Sequence, residues 1–570
     1  MKKQGFLKGS AILLGMVVIT KAMGLIYKLP LTHLLGGTGM GYYSSAFAVF
    51  TPVFAIVVSG ITSTISRTIA ENYSFERYAN VRKIRRVALL VFSFIGFIVS
   101  ILFALLSGLL ASGTIIEPLA RWALIGVAPS IFGATVLSVE RGYFEGLKNM
   151  LPTAISEIIE TIFKLLLGLG FAYLVLDYAK EQYYSTGGCF GAFCRSEEEA
   201  VAVAIPYITG ASVLGVSLST CIACLYIIIS GKIQGDGITK EMLRLDPITD
   251  RATAIISHLF RNAFPVAMAT VIATLTNMLD LVTINSCISR AMSADSNLFS
   301  MYITENLTRE MMPNFIYGSY SGLAVMVSGL VPTFTAMFGK SILPSLSEVW
   351  AKGDFKAIQK NIKSMLSIIL LIALPAGIGI SALSREILEF LFGGRIAEIE
   401  VSVIPLKILG LGIVFQAVTI PCFSVLQTIG KSHYPIFISL FGGSVKLILN
   451  ILLISIPQIN ICGAAISTVI AQGFICIWSL VVMARTTGLR IDVKNILLKP
   501  LFSAVLCGIT ARLITDLLTR LTVISINFRI STAISIVLGG IMYLFSLYLL
   551  CVLPKNRINR AFFKKNYKNP

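Results

Sequence analysis

The sequence predicts an all-α polytopic membrane protein of about 14 transmembrane helices, and three observations carry that prediction. The 570 residues are 56% hydrophobic and only 13% charged, with a mean hydropathy of +0.84. Apolar runs of about 20 residues recur along the whole chain, the length a helix needs to cross the hydrocarbon core. The chain also repeats itself: ENYSFERYANVRKIRR (Glu71 to Arg86) aligns without a gap with EVWAKGDFKAIQKNIK (Glu348 to Lys363). Both stretches follow the second span of a six-span unit. The pattern therefore implies two six-helix lobes in a parallel pseudo-two-fold repeat, with a site between the halves, plus a C-terminal helix pair. A β-barrel is excluded, because short alternating segments do not occur.

The spans are expected at 7–33, 41–68, 86–110, 119–142, 152–177, 201–230, 259–287, 313–343, 361–384, 402–428, 434–455, 460–484, 497–518 and 530–553. The first opens with Lys2, Lys3 and Lys8. It resembles a signal peptide but lacks a small-x-small cleavage site, so it reads as a retained span. Its second half carries Lys21 and Lys28, then a glycine-rich turn with Gly36, Gly37, Gly39 and Gly41.

Loop charge sets the orientation. Arg77, Arg82, Lys83, Arg85 and Arg86 fall on one side. Lys232, Lys240, Arg244 and Arg251 join them, followed by Lys352, Lys356, Lys360 and Lys363, then Arg485, Arg490, Lys494 and Lys499, and the tail from Lys555 to Lys568. Acidic clusters, Glu197 to Glu199 and Glu386 to Glu400, mark the opposite loops. Both termini are thus expected in the cytoplasm. The domain reading is an N-lobe at 1–230, a polar cytoplasmic linker at 231–258, a C-lobe at 259–485 and a terminal pair with a basic tail at 486–570. The net charge of +19 belongs to these loops, so nucleic-acid binding is not expected.

Charges inside the spans are the candidate site. Lys21 and Lys28 are seven residues apart, so their ammonium groups share a helix face, roughly 10 Å apart along the axis. Charge at that depth faces a bundle interior or a watery cavity. Glu157, Glu160 and Lys164 share one face of span five, and Glu160 to Lys164 has the favourable i, i+4 order for an ion pair. That strip is either a self-neutralising pair or a cavity lining. Lys164 in IFKLLL matches Lys446 in SVKLIL, about three turns after Pro152 and Pro435 respectively. Lys446 has no carboxylate nearby in sequence.

Asp280 is the only acid of its span. With Asn277 and Thr276 or Thr283 it offers an oxygen site for Na+ or a proton-carrying carboxyl. The other reading pairs it with Lys21 or Lys28. Arg67 and Arg261, near the cytoplasmic ends of spans two and seven, either snorkel or guide an anionic headgroup. Glu140, Arg141 and Glu145 read as a solvated helix end, with a gate as the alternative.

Cys221 and Cys224 form a C-x-x-C on an uncharged helix, where packing is the expected role. A disulfide between Cys189 and Cys194 stays open. The histidines, His33, His258 and His433, are not spaced as a metal site, and there is no Walker A motif, so ATP is not the direct energy source. No cofactor is expected beyond a coupling Na+ or H+. No nucleophile–base constellation stands out, and the chain is not read as an enzyme.

Several stretches together carry a family resemblance. GLIYKLPLTHLLGGTGMGYY, GITSTISRTIAE and RGYFEGLKNMLPTAISEIIETIFKLLLG, then LPSLSEVWAKGDFKAIQKNIK, LPAGIGI and CGAAISTVIAQ, resemble the polysaccharide-transporter branch of the multidrug/oligosaccharidyl-lipid/polysaccharide exporter superfamily. Within it the likeness is to stage V sporulation protein B and related lipid II flippases, and it covers nearly the whole chain. The resemblance implies a two-lobed, fourteen-helix, MATE-like fold in the bacterial plasma membrane. It also implies export of undecaprenyl-diphosphate-linked sugars for peptidoglycan or polysaccharide. Lys28 stands where the family often has arginine, which keeps charge but loses bidentate geometry toward phosphate.

The expected activity is flipping of such a lipid-linked oligosaccharide by alternating access, by a monomer whose other partners are membrane lipids. A drug–cation antiporter of the same superfamily is the alternative, against which the excess of intramembrane lysines argues. A non-transporting assembly factor for the envelope is another, and it would not need charges at depth.

Overall fold

The computed structural model describes residues 6–111, 117–245, 249–304, 307–336, 346, 349–350, 353–431, 433–489, 492–520 and 528–550. Lys2, Lys3, Glu348, Lys352, Arg490 and the tail from Lys555 to Lys568 lie outside the described residues. The first helices are α1 (Phe6–Val58), α2 (Ile61–Ser74) and α3 (Tyr78–Ala111). They are followed by α4 (Arg121–Val127), α5 (Pro129–Gly146) and α6 (Leu151–Thr186). A two-stranded hairpin, β1 (Gly188–Cys189) and β2 (Ala192–Phe193), leads into α7 (Glu197–Gln234). Next come α8 (Lys240–Leu245), α9 (Ala252–Ala294) and α10 (Met312–Ser319). Further long helices span Phe355–Ala382, Ile396–Thr428, His433–Ile454, Cys462–Thr487, Lys499–Arg520 and Phe528–Leu549.

Among the described residues, 12 helices are long and apolar enough to cross a membrane, or up to 13 with the bent pair Arg309–Ser328 and Leu330–Ala336. The first of them, Val18–Ser74, has 57 residues. That is roughly 85 Å of helix, nearly three hydrocarbon thicknesses. It is broken at Gly36 (φ 61°, ψ −170°), in a region closed to most side chains, and again at Ser59 and Gly60, between α1 and α2. The expected count of about fourteen is close. It differs in treating 7–33 and 41–68 as separate spans, the division that Gly36 marks. The glycine-rich turn itself is one residue long, since Gly37, Gly39 and Gly41 are helical.

Those later glycines serve packing. A Cβ on Gly41 would come within 2.5 Å of the Asn314 carbonyl oxygen, and one on Gly318 would run into the Gly37 carbonyl oxygen. α1 and α10 thus cross nearly backbone to backbone, the close approach that small residues permit between helices. Asn314 Nδ2 donates to the Thr38 carbonyl at 3.0 Å across the same crossing.

The chain falls into two compact units, Met1–Gly322 with Asn450–Ile461, and Leu323–Leu449 with Cys462–Pro570. The expected linker, 231–258, falls within the first. In that unit Ile61, Ile65 and Ile69 recur every four residues on α2 and pack with Tyr78, Val81, Val139, Tyr143, Ile227 and Leu259. In the second, Ile358, Ile362, Met365, Leu366 and Ile369 pack with Val425, Leu426, Met483 and Tyr543.

The sequence repeat reappears in helix starts. Tyr78 and its partner Phe355 are each the first residue of a long helix. Pro152 sits in the first turn of α6, and Pro435 is the third residue of the His433–Ile454 helix. Proline is tolerated there because the first amides have no partner within the helix.

Candidate functional site

Lys21, Lys28 and Lys164 come together in the first unit. α1 supplies the first two and α6 the third. Lys21 is exposed, and Lys28 and Lys164 are half-buried. Their ammonium groups are close enough to repel: Lys28 feels Lys164 and Lys21, and Lys164 feels the Glu160 carboxylate first and Lys21 after it.

Tyr27 positions the cluster. It is fully buried, and its hydroxyl shares a hydrogen bond of 3.0 Å with Ser212 of α7. Its ring lies against Gly168, where a Cβ would come within 2.8 Å of it. The Lys164 Nζ sits 5.2 Å from the ring centroid. A cation so placed is attracted by about 0.5–2 kcal/mol, depending on desolvation. Sequence reading missed Tyr27, because an aromatic beside apolar residues looks like ordinary core.

The carboxylates near Lys164 are committed elsewhere. Arg141 Nη2 donates to Glu160 Oε2 at 2.9 Å, and Thr220 Oγ1 donates to Glu160 Oε1 at 3.0 Å. Arg141 also lies 3.9 Å from Glu157 and donates from Nε to Ser156 Oγ at 2.9 Å. The i, i+4 pair suggested by sequence, Glu160 with Lys164, is therefore replaced by Glu160 with Arg141. Among the described residues, Lys21, Lys28 and Lys164 are in no ion pair.

Asp280 is half-buried on α9 and accepts from Asn450 Nδ2 at 3.1 Å. Asn450, fully buried, also donates to Thr283 Oγ1 at 2.9 Å. Thr283 thus joins the group, as the sequence allowed. Asn277 is exposed, and Thr276 turns back to the Ala273 carbonyl. The amide at this acid comes from 170 residues downstream, a partner that no local pattern reveals. Lys446 is buried, at 8% exposure, one turn before Asn450 on the same helix. Arg67 and Arg261 are both exposed.

A second polar network holds the segment after α7 against α3. Arg82 binds Asp236 at 2.9 and 3.0 Å, and Tyr143 donates to the same carboxylate at 2.8 Å. Arg77 and Asn80 each reach Asp250 at 2.7 Å, and Lys83 reaches Thr249 at 3.1 Å. Burial pushes the Asp236 carboxyl up, but hydrogen bonds from Arg82, Ile238 N–H and Tyr143 win and hold it below the usual range. The Arg77 hydrogen bond lowers Asp250 in the same way.

Beside this network, Glu140 is 1% exposed, and Arg85 grips both its oxygens at 2.7–3.1 Å. The expectation of a solvated end fails here, because α3 supplies a guanidinium that lets the acid be buried. Cys189 and Cys194 carry free thiols.

A polytopic helical membrane protein with a cluster of unpaired cations within its apolar helices is the class defined by this fold and site. The family model described as a polysaccharide biosynthesis protein matches residues 6–195. The model described as lipid II flippase MurJ matches residues 200–533, and the chain belongs to that family. It is 24% identical to the lipid II flippase MurJ of Bacillus subtilis (strain 168) over 582 residues, covering 98% of each chain. It is 21% identical to stage V sporulation protein B of the same organism over 511 residues, covering 89% of each. A solved structure of lipid II flippase MurJ in an inward closed conformation superposes with a TM-score of 0.59, at 15% identity, over 95% of this chain and 98% of that one. At that identity the likeness speaks for the fold alone.

Proposed function

We propose that this protein flips an undecaprenyl-diphosphate-linked, lipid II-like sugar precursor from the cytoplasmic to the outer leaflet by alternating access. The observation that carries it is the cluster of Lys21, Lys28 and Lys164, which repel one another and form no ion pair among the described residues, the nearby Glu160 being bonded to Arg141. Unpaired cations at membrane depth call for an anion, and a diphosphate carries enough charge to answer several of them. The polyprenyl tail stays in lipid throughout. Lys446 is assigned a further contact to the anion, and Arg67 and Arg261 the guidance of the headgroup from the cytoplasm. Asp280, with Asn450 and Thr283, is the group through which Na+ or H+ couples to turnover. Glu157 and Glu160 act with Arg141 in gating. The protein works as a monomer in the bacterial cytoplasmic membrane with both termini inside, and it catalyses no covalent chemistry.

The test is rescue of a bacterial strain depleted of its own lipid II flippase, with protein level checked by blot. Lys21→Ala with Lys28→Ala removes two charged contacts worth about 1.5–3 kcal/mol each, so binding should fall more than about 100-fold and rescue should be lost at normal protein level. Lys→Arg at both sites should rescue, because charge persists and phosphate accepts guanidinium well. Full rescue by the double alanine variant would overturn the assignment.

A further inference from the structure

Span five offers Lys164 a natural partner. Glu160 stands one turn before it, in the orientation that favours an ion pair within a helix. Were that pair formed, Lys164 would be neutralised before any anion arrived. In the structure it is not formed. Both Glu160 oxygens are occupied from other helices: Oε2 by Arg141 of α5 at 2.9 Å and Oε1 by Thr220 of α7 at 3.0 Å. Arg141 is only 16% exposed and is itself fixed at three points, by Glu160, by Ser156 and more loosely by Glu157. Lys164 leans instead on the Tyr27 ring, and Glu160 acts on it only through space, without closing an ion pair.

We infer that Arg141 is a positioning residue for the anion site: by holding Glu160, with help from Thr220, it keeps the Lys164 ammonium available to the diphosphate. The inference rests on the cationic reading of Lys21, Lys28 and Lys164 given above. Arg141 does not touch the ligand. Its effect passes through Glu160, so loss of Arg141 frees a carboxylate within reach of Lys164, and the local pair then competes with the substrate.

The experiment measures binding of farnesyl diphosphate to the purified full-length protein by isothermal titration. Lys164→Ala should weaken binding about tenfold or more, the value of a charge-assisted contact. Arg141→Ala should weaken it to a similar degree, and should add nothing in the Lys164→Ala background, since both act through one ammonium. Glu160→Gln should restore binding to Arg141→Ala, because the competing carboxylate is gone. Thr220→Val keeps the question open if Arg141→Ala does not fold: it loosens only one Glu160 oxygen and should weaken binding in the native background but not beside Lys164→Ala. Native-strength binding by Arg141→Ala, with Lys164→Ala weak, would overturn the inference and leave the cationic site standing. So would a loss that adds to that of Lys164→Ala and resists Glu160→Gln, the behaviour of a merely structural arginine. Native-strength binding by Lys164→Ala would remove Lys164 from the anion site, and this inference with it.

Discussion

Replacing Arg85 with methionine should destabilise the first unit far more than replacing Arg77, although both are arginines in ion pairs within nine residues of each other. Arg85 is 24% exposed and its partner Glu140 only 1%. All three Arg85–Glu140 hydrogen bonds, at 2.7–3.1 Å, vanish in Arg85→Met, and the carboxylate stays buried without a cation. Breaking one side of a buried pair costs about 3–5 kcal/mol. The guanidinium also lies 4.5 Å from the Tyr143 ring, a contact that methionine replaces only in part. Arg77 and Asp250 are 31% and 43% exposed, where water answers each charge, and such pairs contribute about 0.2–1 kcal/mol. The assay is titration of the purified protein with SDS, followed by near-ultraviolet circular dichroism. Arg85→Met should shift the midpoint several times further than Arg77→Met. Arg85→Met with Glu140→Met should recover most of the loss, since an apolar pair of similar volume is usually tolerated. Equal shifts for the two single variants, or no recovery in the double, would refute the view that burial of Glu140 depends on Arg85.

Acid should loosen the segment after α7. Asp236 and Asp250 sit below their usual range, so their contribution is present above the unfolded value of about 3.9 and is lost as pH falls through the depressed folded values. Hydrogen exchange at the Ile238 amide, which donates to Asp236, should show steady protection from pH 7 down to about 4 and lose it only further down, as pH passes the depressed folded value, after correction for the intrinsic rate. Gly318→Val should cost at least about 1–3 kcal/mol through overpacking against the α1 backbone. Gly170→Ala, where a Cβ meets nothing, should gain about 0.5–1 kcal/mol, both read by the same SDS titration. For topology, a cysteine at Glu198 should react with an impermeant maleimide on whole cells and one at Ser74 should not, as the loop charges require; labelling at Ser74 would reverse the orientation.

The fold class was legible because a lipid solvent imposes length and apolarity on every span, and both are visible in the one-dimensional chain. The three lysines were legible for the converse reason: a charge within an apolar run stands out. What was not legible is which carboxylate answers which cation. Glu160 has an obvious partner four residues on and takes another 19 residues upstream, with Thr220 60 residues downstream completing its shell. Asp280 draws its amide from Asn450. Those choices are set by helix packing, which spacing along one helix does not encode. Glu140 misled for the same reason, since the guanidinium that permits its burial is on another helix. The glycines after Gly36 also read as turn residues, because close helix crossing and tight turning select the same small side chain.

α1 is fastened twice, to different neighbours. Before Gly36, Tyr27 ties it to Ser212 of α7 and wedges it against Gly168 of α6. After Gly36, Gly37 and Gly41 seat it on α10, with Asn314 bonded to Thr38. Gly36 is the one residue between these moorings that departs from helical geometry. Rotation there would let the lysine-bearing half ride with α6 and α7 as a single body, while the other half follows α10. The spacing among Lys21, Lys28 and Lys164 would then stay constant while the two halves of α1 change direction, so the charge geometry presented to the anion would be insulated from movement at the α10 end.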